Sequence, residues 1–433
     1  MDNDKMNKKN VLVFPAGTEI SNEIFNALKH NKYFKVVFAS SIKTSHAEFL
    51  NQEVYKLPYA DNESFTEIMQ AFISEHNIDF IIPAHDDVAY ELSLITEQLE
   101  AKVIGQDRHT NKVVRFKDVT YKYFKDIIPL ADVYKNQEEV CFPVFVKPKK
   151  GQGALNSLCL ETEHEFNGYF NKHDIATYVL MEHLTGAEFT IDCFSDNGEV
   201  LYSGPRTREK TTRGISVLSR LIEDKSLLEE FYQYASIISK KMGLHGIWFF
   251  QMKYDKHGKL KLLEVGPRVS GTMMLNRAKG INFIELALFQ AMGNTVEVYV
   301  NDVSLSLSRA LLPRYKHNIF YETLYIDFDD TLYLDEKYIN TDIMKLIFQA
   351  KNNNNEVILI TKNKKGNLES TLKEFGLTTV FHEIIHIKDD DKKYKYMKKN
   401  SLLIDDSFQE RKEAIQHGLY AYSLDNMQLL FED

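Results

Sequence analysis

Short apolar runs, each closed by a turn and followed by a helical pattern, recur near both ends of this 433-residue chain. Val11-Leu-Val-Phe14 reads as a buried strand, Pro15 to Ser21 as a turn, and Ile24 to Leu28 as the beginning of a helix. Lys35 to Phe38 and Ile78 to Ile82 read as two further strands. The helix between them, Phe65 to His76, has apolar positions at Phe65, Ile68, Met69, Phe72 and Ile73. Strand–helix alternation of this kind predicts an α/β fold, a parallel sheet with helices on both faces. Ligands bind beyond the carboxyl ends of such strands, which singles out residues 14–21 and 83–88.

The same logic applies near the end of the chain. The apolar run Leu324 to Ile326 gives way to Asp327-Phe-Asp329, and residues two apart on a strand point the same way. Glu356 to Thr361 is a second run, and Ser401 to Asp405, followed by Asp406, a third. Parallel pairing of the three would gather Asp327, Thr361 and Asp405/Asp406 at one sheet edge. Between the last two runs lies a lysine-rich stretch, Lys388 to Lys393, read as a helix start. Either acidic pair alone describes a solvated acidic rim. All four pieces in order describe a metal-bound nucleophile beside a general acid/base. Only about 25 residues separate Thr331 from the next strand, too few for a large cap domain.

Between them, residues 111–312 mix strands and helices at longer spacing, so the expected domains are 1–110, 111–312 and 313–433. Phe142 to Val146 and Phe189 to Phe194 read as strands. Trp248 to Met252 and Leu260 to Val265 read as a hairpin turning at Asp255-Lys-His-Gly258. Lys147 stands at a strand end before a loop containing Gly151 and Gly153, a pattern that suits phosphate oxygens but also describes an ordinary turn. Gln251 and Glu264, on the two hairpin strands, could offer oxygen ligands to a hard cation. Arg268 follows, placed for a phosphate or carboxylate. Arg206, Arg208 and Arg213 belong to a charged stretch read either as a solvated loop or as a clamp on a substrate anion.

Residues 8–312 resemble the ATP-grasp superfamily, in particular its carbamoyl-phosphate-synthase-like branch, preceded by a Rossmann-like domain. The likeness rests on Val146-Lys-Pro-Lys-Lys-Gly-Gln-Gly153, Met181-Glu-His-Leu-Thr-Gly-Ala-Glu188, Phe249-Phe-Gln-Met252 and Leu263-Glu-Val-Gly-Pro-Arg-Val-Ser-Gly271. It implies that Lys117, Lys147, Gly151 and Gly153 serve ATP, that Glu182 reads adenine and that Glu188 holds the ribose. It also implies that Gln251 and Glu264 bind Mg²⁺ and that Arg268 stabilises the transferred phosphoryl group. Gly266 stands where that family usually has Asn, so one metal ligand is missing or replaced by water or Asp192.

Residues 320–433 resemble the haloacid dehalogenase (HAD) superfamily, a Rossmann-like fold here with a minimal cap. That likeness makes Asp327 the nucleophile, Asp329 the acid/base and Thr361 a phosphoryl ligand. Lys393, or else Lys392, would be the neutralising cation. Asp405 and Asp406, with Asp327 and the neighbouring Asp329, form the metal-ligand set.

The joint expectation is an ATP- and Mg²⁺-dependent carboxylate ligase fused to a phosphatase, with Mn²⁺ as a possible substitute. Its partners would be a small carboxylate and an amine, or a phosphorylated metabolite. A nucleotide-binding module that does not ligate, regulating the phosphatase, and an ATP-grasp kinase are the alternatives. The formal charge of −9 argues against a general nucleic-acid or anionic-membrane binder. The three cysteines lack metal-ligand spacing, and no run approaches the length of a membrane span, so a cytoplasmic location is expected. A homo-oligomer is compatible with the sequence.

Overall fold

The computed structural model describes residues 8–42, 46–50, 53–151, 155–212, 214–363 and 366–432. Apart from residues 49–51, the chain as far as Leu311 makes one compact unit, and Leu312 onward a second.

The first unit opens with five parallel strands in the order β3-β2-β1-β4-β5: β1 (Lys9–Phe14), β2 (Phe34–Ser40), β3 (Val54–Lys56), β4 (Ile78–Pro83) and β5 (Lys102–Val103). Helices α1 (Glu19–Leu28), α2 (Phe65–His76) and α3 (Asp86–Ile95) connect or follow them. Helix α1 starts five residues before the expected Ile24, because the Thr18 side chain accepts the Ser21 N–H and caps it. His85 caps α3 in the same way, leaving Asp86 in the first turn, where a negative charge suits the helix dipole.

Helices α4 (Arg108–Arg115) and α5 (Lys117–Phe124) lead into a four-stranded antiparallel sheet, β6-β9-β7-β8. Its strands are β6 (Val133–Tyr134), β7 (Val144–Pro148), β8 (Leu158–Leu160) and β9 (Tyr178–Glu182), and Phe166 of α6 (Glu163–Phe170) packs on it. A second antiparallel sheet contains β10 (Glu188–Asp196) and β11 (Glu199–Thr207). A smaller one contains β12 (Lys210–Thr212) and β13 (Ile215–Arg220). After α7 (Lys225–Met242), β14 (Gly246–Tyr254) and β15 (Leu260–Gly266) complete the order β11-β10-β14-β15. Then come α8 (Met274–Ala278), α9 (Phe283–Ala291) and β16 (Ser306–Ser308), which joins β13.

Pleat alternation decides what this second sheet does with its two faces. Phe189, Ile191, Trp248, Phe250 and Met252 form a core with Phe231, Ala235 and Ile238 of α7. Thr190, Asp192, Phe249 and Gln251, the intervening residues, are left for the opposite face. The β14–β15 turn fixes the register: the Asp255 carboxylate accepts the N–H groups of His257 and Lys259, and Gly258 takes a φ of 73°.

In the second unit five parallel strands run in the order β21-β20-β17-β22-β23. They are β17 (Thr323–Ile326), β20 (Glu356–Thr361), β21 (Glu383–His386), β22 (Ser401–Ile404) and β23 (Tyr420–Tyr422), accompanied by α10 (Thr341–Asn352), α11 (Leu368–Glu374) and α12 (Phe408–Gln416). The hairpin β18 (Tyr333–Leu334) with β19 (Tyr338–Ile339), together with α10, accounts for the whole insertion between Thr331 and β20. Strand β17 buries both faces, Leu324 and Ile326 on one side and Tyr325 on the other, which is why it reads as an unbroken apolar run. The expected helix start at Lys388 is instead a turn followed by a single 3₁₀ turn, Lys393–Tyr396. There the Asp391 carboxylate accepts the Lys392 N–H, a local bond that competes with helix formation. No helix among the described residues is long and apolar enough to cross a membrane.

Trp248 is the chain's single tryptophan and is fully buried; its indole N–H donates to Ser195 Oγ at 2.8 Å. Ser195→Ala should leave that donor unpaired and cost about 1–3 kcal/mol in urea unfolding followed by tryptophan emission. No measurable change would mean that the indole finds another partner.

Candidate functional site

Each unit gathers a candidate site at strand ends. In the first, Gln251 and Glu264 are cross-strand partners in the β14–β15 ladder, so both carboxamide and carboxylate rise from one face. Lys147, near the end of β7, is buried against them. Its ammonium donates to Tyr121 Oη at 2.8 Å and to the Leu263 carbonyl at 3.2 Å. Burial pushes Lys147 down to about 8, with Glu264 and Glu188 opposing. Lys117, the first residue of α5, donates to the Gly151 carbonyl at 3.1 Å, and burial lowers it too, again against Glu264.

These residues share a cavity of about 320 Å³ that is also lined by Gly151, Glu182, Glu188 and Arg208. Eight residues expected to serve nucleotide or substrate therefore meet in one place. Glu188 is not free within it, since Arg208 Nε sits 2.5 Å and Lys253 Nζ 3.7 Å from its carboxylate. Gly153 and Arg213 lie outside the described residues.

Arg268 borders an adjoining cleft that shares Lys117, Gly151 and Glu264 with the larger cavity. Its Nε and Nη2 both donate to the Asp86 carboxylate, Nη2 at 2.9 Å, and Nη1 donates to the Val269 carbonyl. Burial pushes the Asp86 carboxyl up, but the guanidinium outweighs it and holds the group below the usual carboxylate range. Asp86 had no local signal beyond its place on the 83–88 edge.

Arg206 corrects the loop reading of its segment. It lies within β11, 1% exposed, with Nε 2.9 Å from Asp192 and Nη2 3.2 Å from Ser270 Oγ. Asp192 also accepts from Ser270 and Asn276, so its carboxylate is committed to this buried network and is not a substitute cation ligand beside Glu264. Among the described residues, Arg206 Nη1 and Thr190 Oγ1 have no hydrogen-bond partner.

In the second unit Asp327 follows β17 and Asp405 follows β22, adjacent parallel strands. Lys393 sits between them, donating to Asp327 and, at 2.6 Å, to Asp405. Carboxylate oxygens of Asp327, Asp405 and Asp406 lie within 4.8 Å of one another, a donor set that suits a hard cation. Burial pushes the Asp327 carboxyl up to about 7; Lys393 opposes this and Asp405 reinforces it. Lys392 instead pairs with Glu413.

Asp329 stands apart from that carboxylate trio, which corrects its place in the metal set. Its oxygens accept from Asn363 Nδ2 at 3.1 and 3.2 Å. Thr361, fully buried at the end of β20, accepts the Asn363 N–H. Asn363 thus links Asp329 to Thr361, a role nothing in the sequence pattern announced.

Comparison with known proteins bears on the first unit. Residues 174–309 match the family model described as ATP-grasp in the biosynthetic pathway with Ter operon. The search of curated proteins finds no match. Among solved structures, the chain is similar to the biotin carboxylase domain of Hydrogenobacter thermophilus 2-oxoglutarate carboxylase, in complex with MgADP, ADP and bicarbonate. The TM-score is 0.57 at 17% identity, covering 67% of this chain and 71% of that one. It is similar to the L-amino acid ligase from Bacillus licheniformis, with a TM-score of 0.53 at 19% identity over 66% and 74% of the two chains. It is also similar to N5-carboxyaminoimidazole synthetase from Staphylococcus aureus complexed with ADP, with a TM-score of 0.55 at 13% identity over 67% and 79%. At such identities the likeness is one of fold. With the family match, it shows that the chain contains an ATP-grasp domain.

Two outcomes follow from the buried lysines. An anion beside Lys147 should raise its pKa, so affinity for a fluorescent ATP analogue should stay level below pH of about 8. Above that it should fall by up to about tenfold per pH unit. Lys147→Met should bind more weakly with no break there, and a level wild-type profile would remove Lys147 from the phosphate site. Lys393→Ala strands two buried carboxylates and should cost about 3–5 kcal/mol in chelator. The deficit should shrink in acid as the Asp327 carboxyl protonates; a deficit independent of pH would contradict the pairing.

Proposed function

We propose that the chain is a bifunctional enzyme, an ATP-dependent carboxylate ligase joined to an aspartate-nucleophile phosphatase. The observation that carries the first half is the Gln251–Glu264 pair facing Lys117 and Lys147 across one cavity. Oxygen donors opposite buried ammonium groups suit a nucleotide whose phosphates need cations on several sides. Gln251 and Glu264 would hold Mg²⁺, which when bound neutralises phosphate charge and withdraws electrons from the γ-phosphorus.

In this reading Lys117 and Lys147 fix the phosphates, and Glu182 at the end of β9 reads the adenine. An acceptor carboxylate oxygen attacks the γ-phosphorus, and the bond to the β-phosphate oxygen breaks to release ADP. Arg268 offsets the charge that spreads over the transferred group. An amine then attacks the acyl carbon, phosphate leaves, and the amine proton passes to solvent. The unpartnered Nη1 of Arg206 is a candidate donor to the acceptor. The L-amino acid ligase among the structural relatives makes amino acids the first carboxylates and amines to try. The match to a biosynthetic family is consistent with a small-molecule product.

The second half rests on the Asp327–Lys393–Asp405–Asp406 cluster and the HAD-like order of its residues. Asp327 would attack a phosphomonoester phosphorus while Asp329 protonates the departing oxygen. Water then cleaves the aspartyl phosphate as Asp329 takes up its proton. Lys393 offsets charge on Asp327 and on the phosphoryl oxygens. With only a two-stranded hairpin for a cap, the mouth is open to bulky phosphorylated metabolites.

Asp327→Asn should lower phosphomonoester hydrolysis by on the order of 10³-fold or more. ADP release in the presence of amino acid pairs should be unchanged. Retained hydrolysis in this variant would refute the nucleophile assignment. An ADP release that ignores every carboxylate and amine would refute the ligase.

A further inference from the structure

One row along the hairpin from Gln251 and Glu264, Phe249 and Gly266 are cross-strand partners. A Cβ built on Gly266 would stand 2.3 Å from both Cε1 and Cζ of the Phe249 ring. No real side chain tolerates that distance, so the ring already fills the volume a residue at 266 would use. On the other flank of Phe249 lies Asp192, its partner in β10, whose carboxylate is taken up by Arg206, Ser270 and Asn276. The ring therefore stands between Asp192 and Gly266, the position nearest Glu264 along its strand on this face.

The same ring carries a cation. The Arg268 guanidinium lies over it at 5.4 Å, an arrangement in which the ring face attracts the positive charge. Asp86 grips Nε and Nη2, and the Val269 carbonyl takes Nη1. The guanidinium is thus held from several sides, close enough for Glu264 to act on it electrostatically. A fixed positive charge therefore lines the same cleft as Glu264.

We infer that this hairpin works with a single divalent cation, held by Glu264 and Gln251, and that the Phe249–Gly266 pair excludes a second. Arg268, clamped by Asp86 on its aromatic platform, supplies the other positive charge toward the phosphates. This inference rests on the ligase reading of the cavity. Phe249 and Asp86 are positioning residues in it, acting through Arg268.

Equilibrium dialysis of the full chain against Mn²⁺, with and without a non-hydrolysable ATP analogue, tests it. Ions on the second unit's aspartates bind in both arms and cancel. One nucleotide-dependent Mn²⁺ per bound analogue is the expected result. Two would overturn the single-cation inference while leaving the ligase reading intact. Failure of the analogue to bind would overturn both. Phe249→Ala combined with Gly266→Asn, which clears the ring and adds an oxygen donor, should raise the ratio from one to two. A double variant that binds the analogue but stays at one would show that the ring is not what excludes the second ion.

Discussion

A charge taken out of water must meet an opposite charge or lose its own, and the polar interior of this chain is arranged around that requirement. Lys393 lies between Asp327 and Asp405; Arg206 meets Asp192; Arg268 meets Asp86; Lys147 and Lys117 stand opposite Glu264. The Arg268–Asp86, Lys393–Asp327 and lysine–Glu264 pairings tie together segments distant in sequence, while Arg206–Asp192 joins neighbouring strands. None is closed off to the same degree. Arg206 and Asp192 pair within a buried network that still leaves Arg206 Nη1 without a partner, which makes them structural as much as chemical. Lys117 and Lys147 are held mainly by neutral oxygens and kept below the ordinary lysine range, so an anionic ligand would complete their surroundings.

What could be read from the sequence was what the pleat dictates locally. A two-residue spacing sets side chains on one face, and a short turn fixes a hairpin's register. Gln251 and Glu264 could therefore be paired without coordinates, and the apolar runs before Asp327 and Asp405 announced parallel strands with their carboxylates at one edge. The three longer N-terminal strands, β1, β2 and β4, were equally plain, because strands buried on both faces read as unbroken apolar runs. The short, partly exposed β3 and β5 gave no such run.

What could not be read depended on contacts that no local rule encodes. Asp86 grips Arg268 from a helix start far earlier in the chain, and only the three-dimensional packing joins them. Arg206 looked like part of a charged loop because its neighbours are polar, yet β11 continues through Thr207 and turns it inward. The spacing of Asp327 and Asp329 placed both in the metal-ligand set. The loop beyond β17 takes Asp329 to Asn363 instead, away from the metal-type cluster. Gly266 read as a lost ligand; in the fold it is also the space that Phe249 occupies.

In the proposed reading the two sites share a problem, placing positive charge around a moving phosphoryl group, and solve it with different parts. The first uses a hairpin, two buried lysines and a clamped arginine; the second uses parallel strand ends and one lysine between carboxylates. The central claim is that the first activates a carboxylate by forming an acyl phosphate. The most direct test gives the Asp327→Asn chain ATP and a pool of amino acids labelled in their carboxylates with the heavy oxygen isotope. Mass analysis of the released phosphate then reads the outcome. Transfer of one labelled oxygen into each phosphate is the predicted result. Phosphate that appears without label would contradict the account, because water rather than a carboxylate would then have attacked ATP.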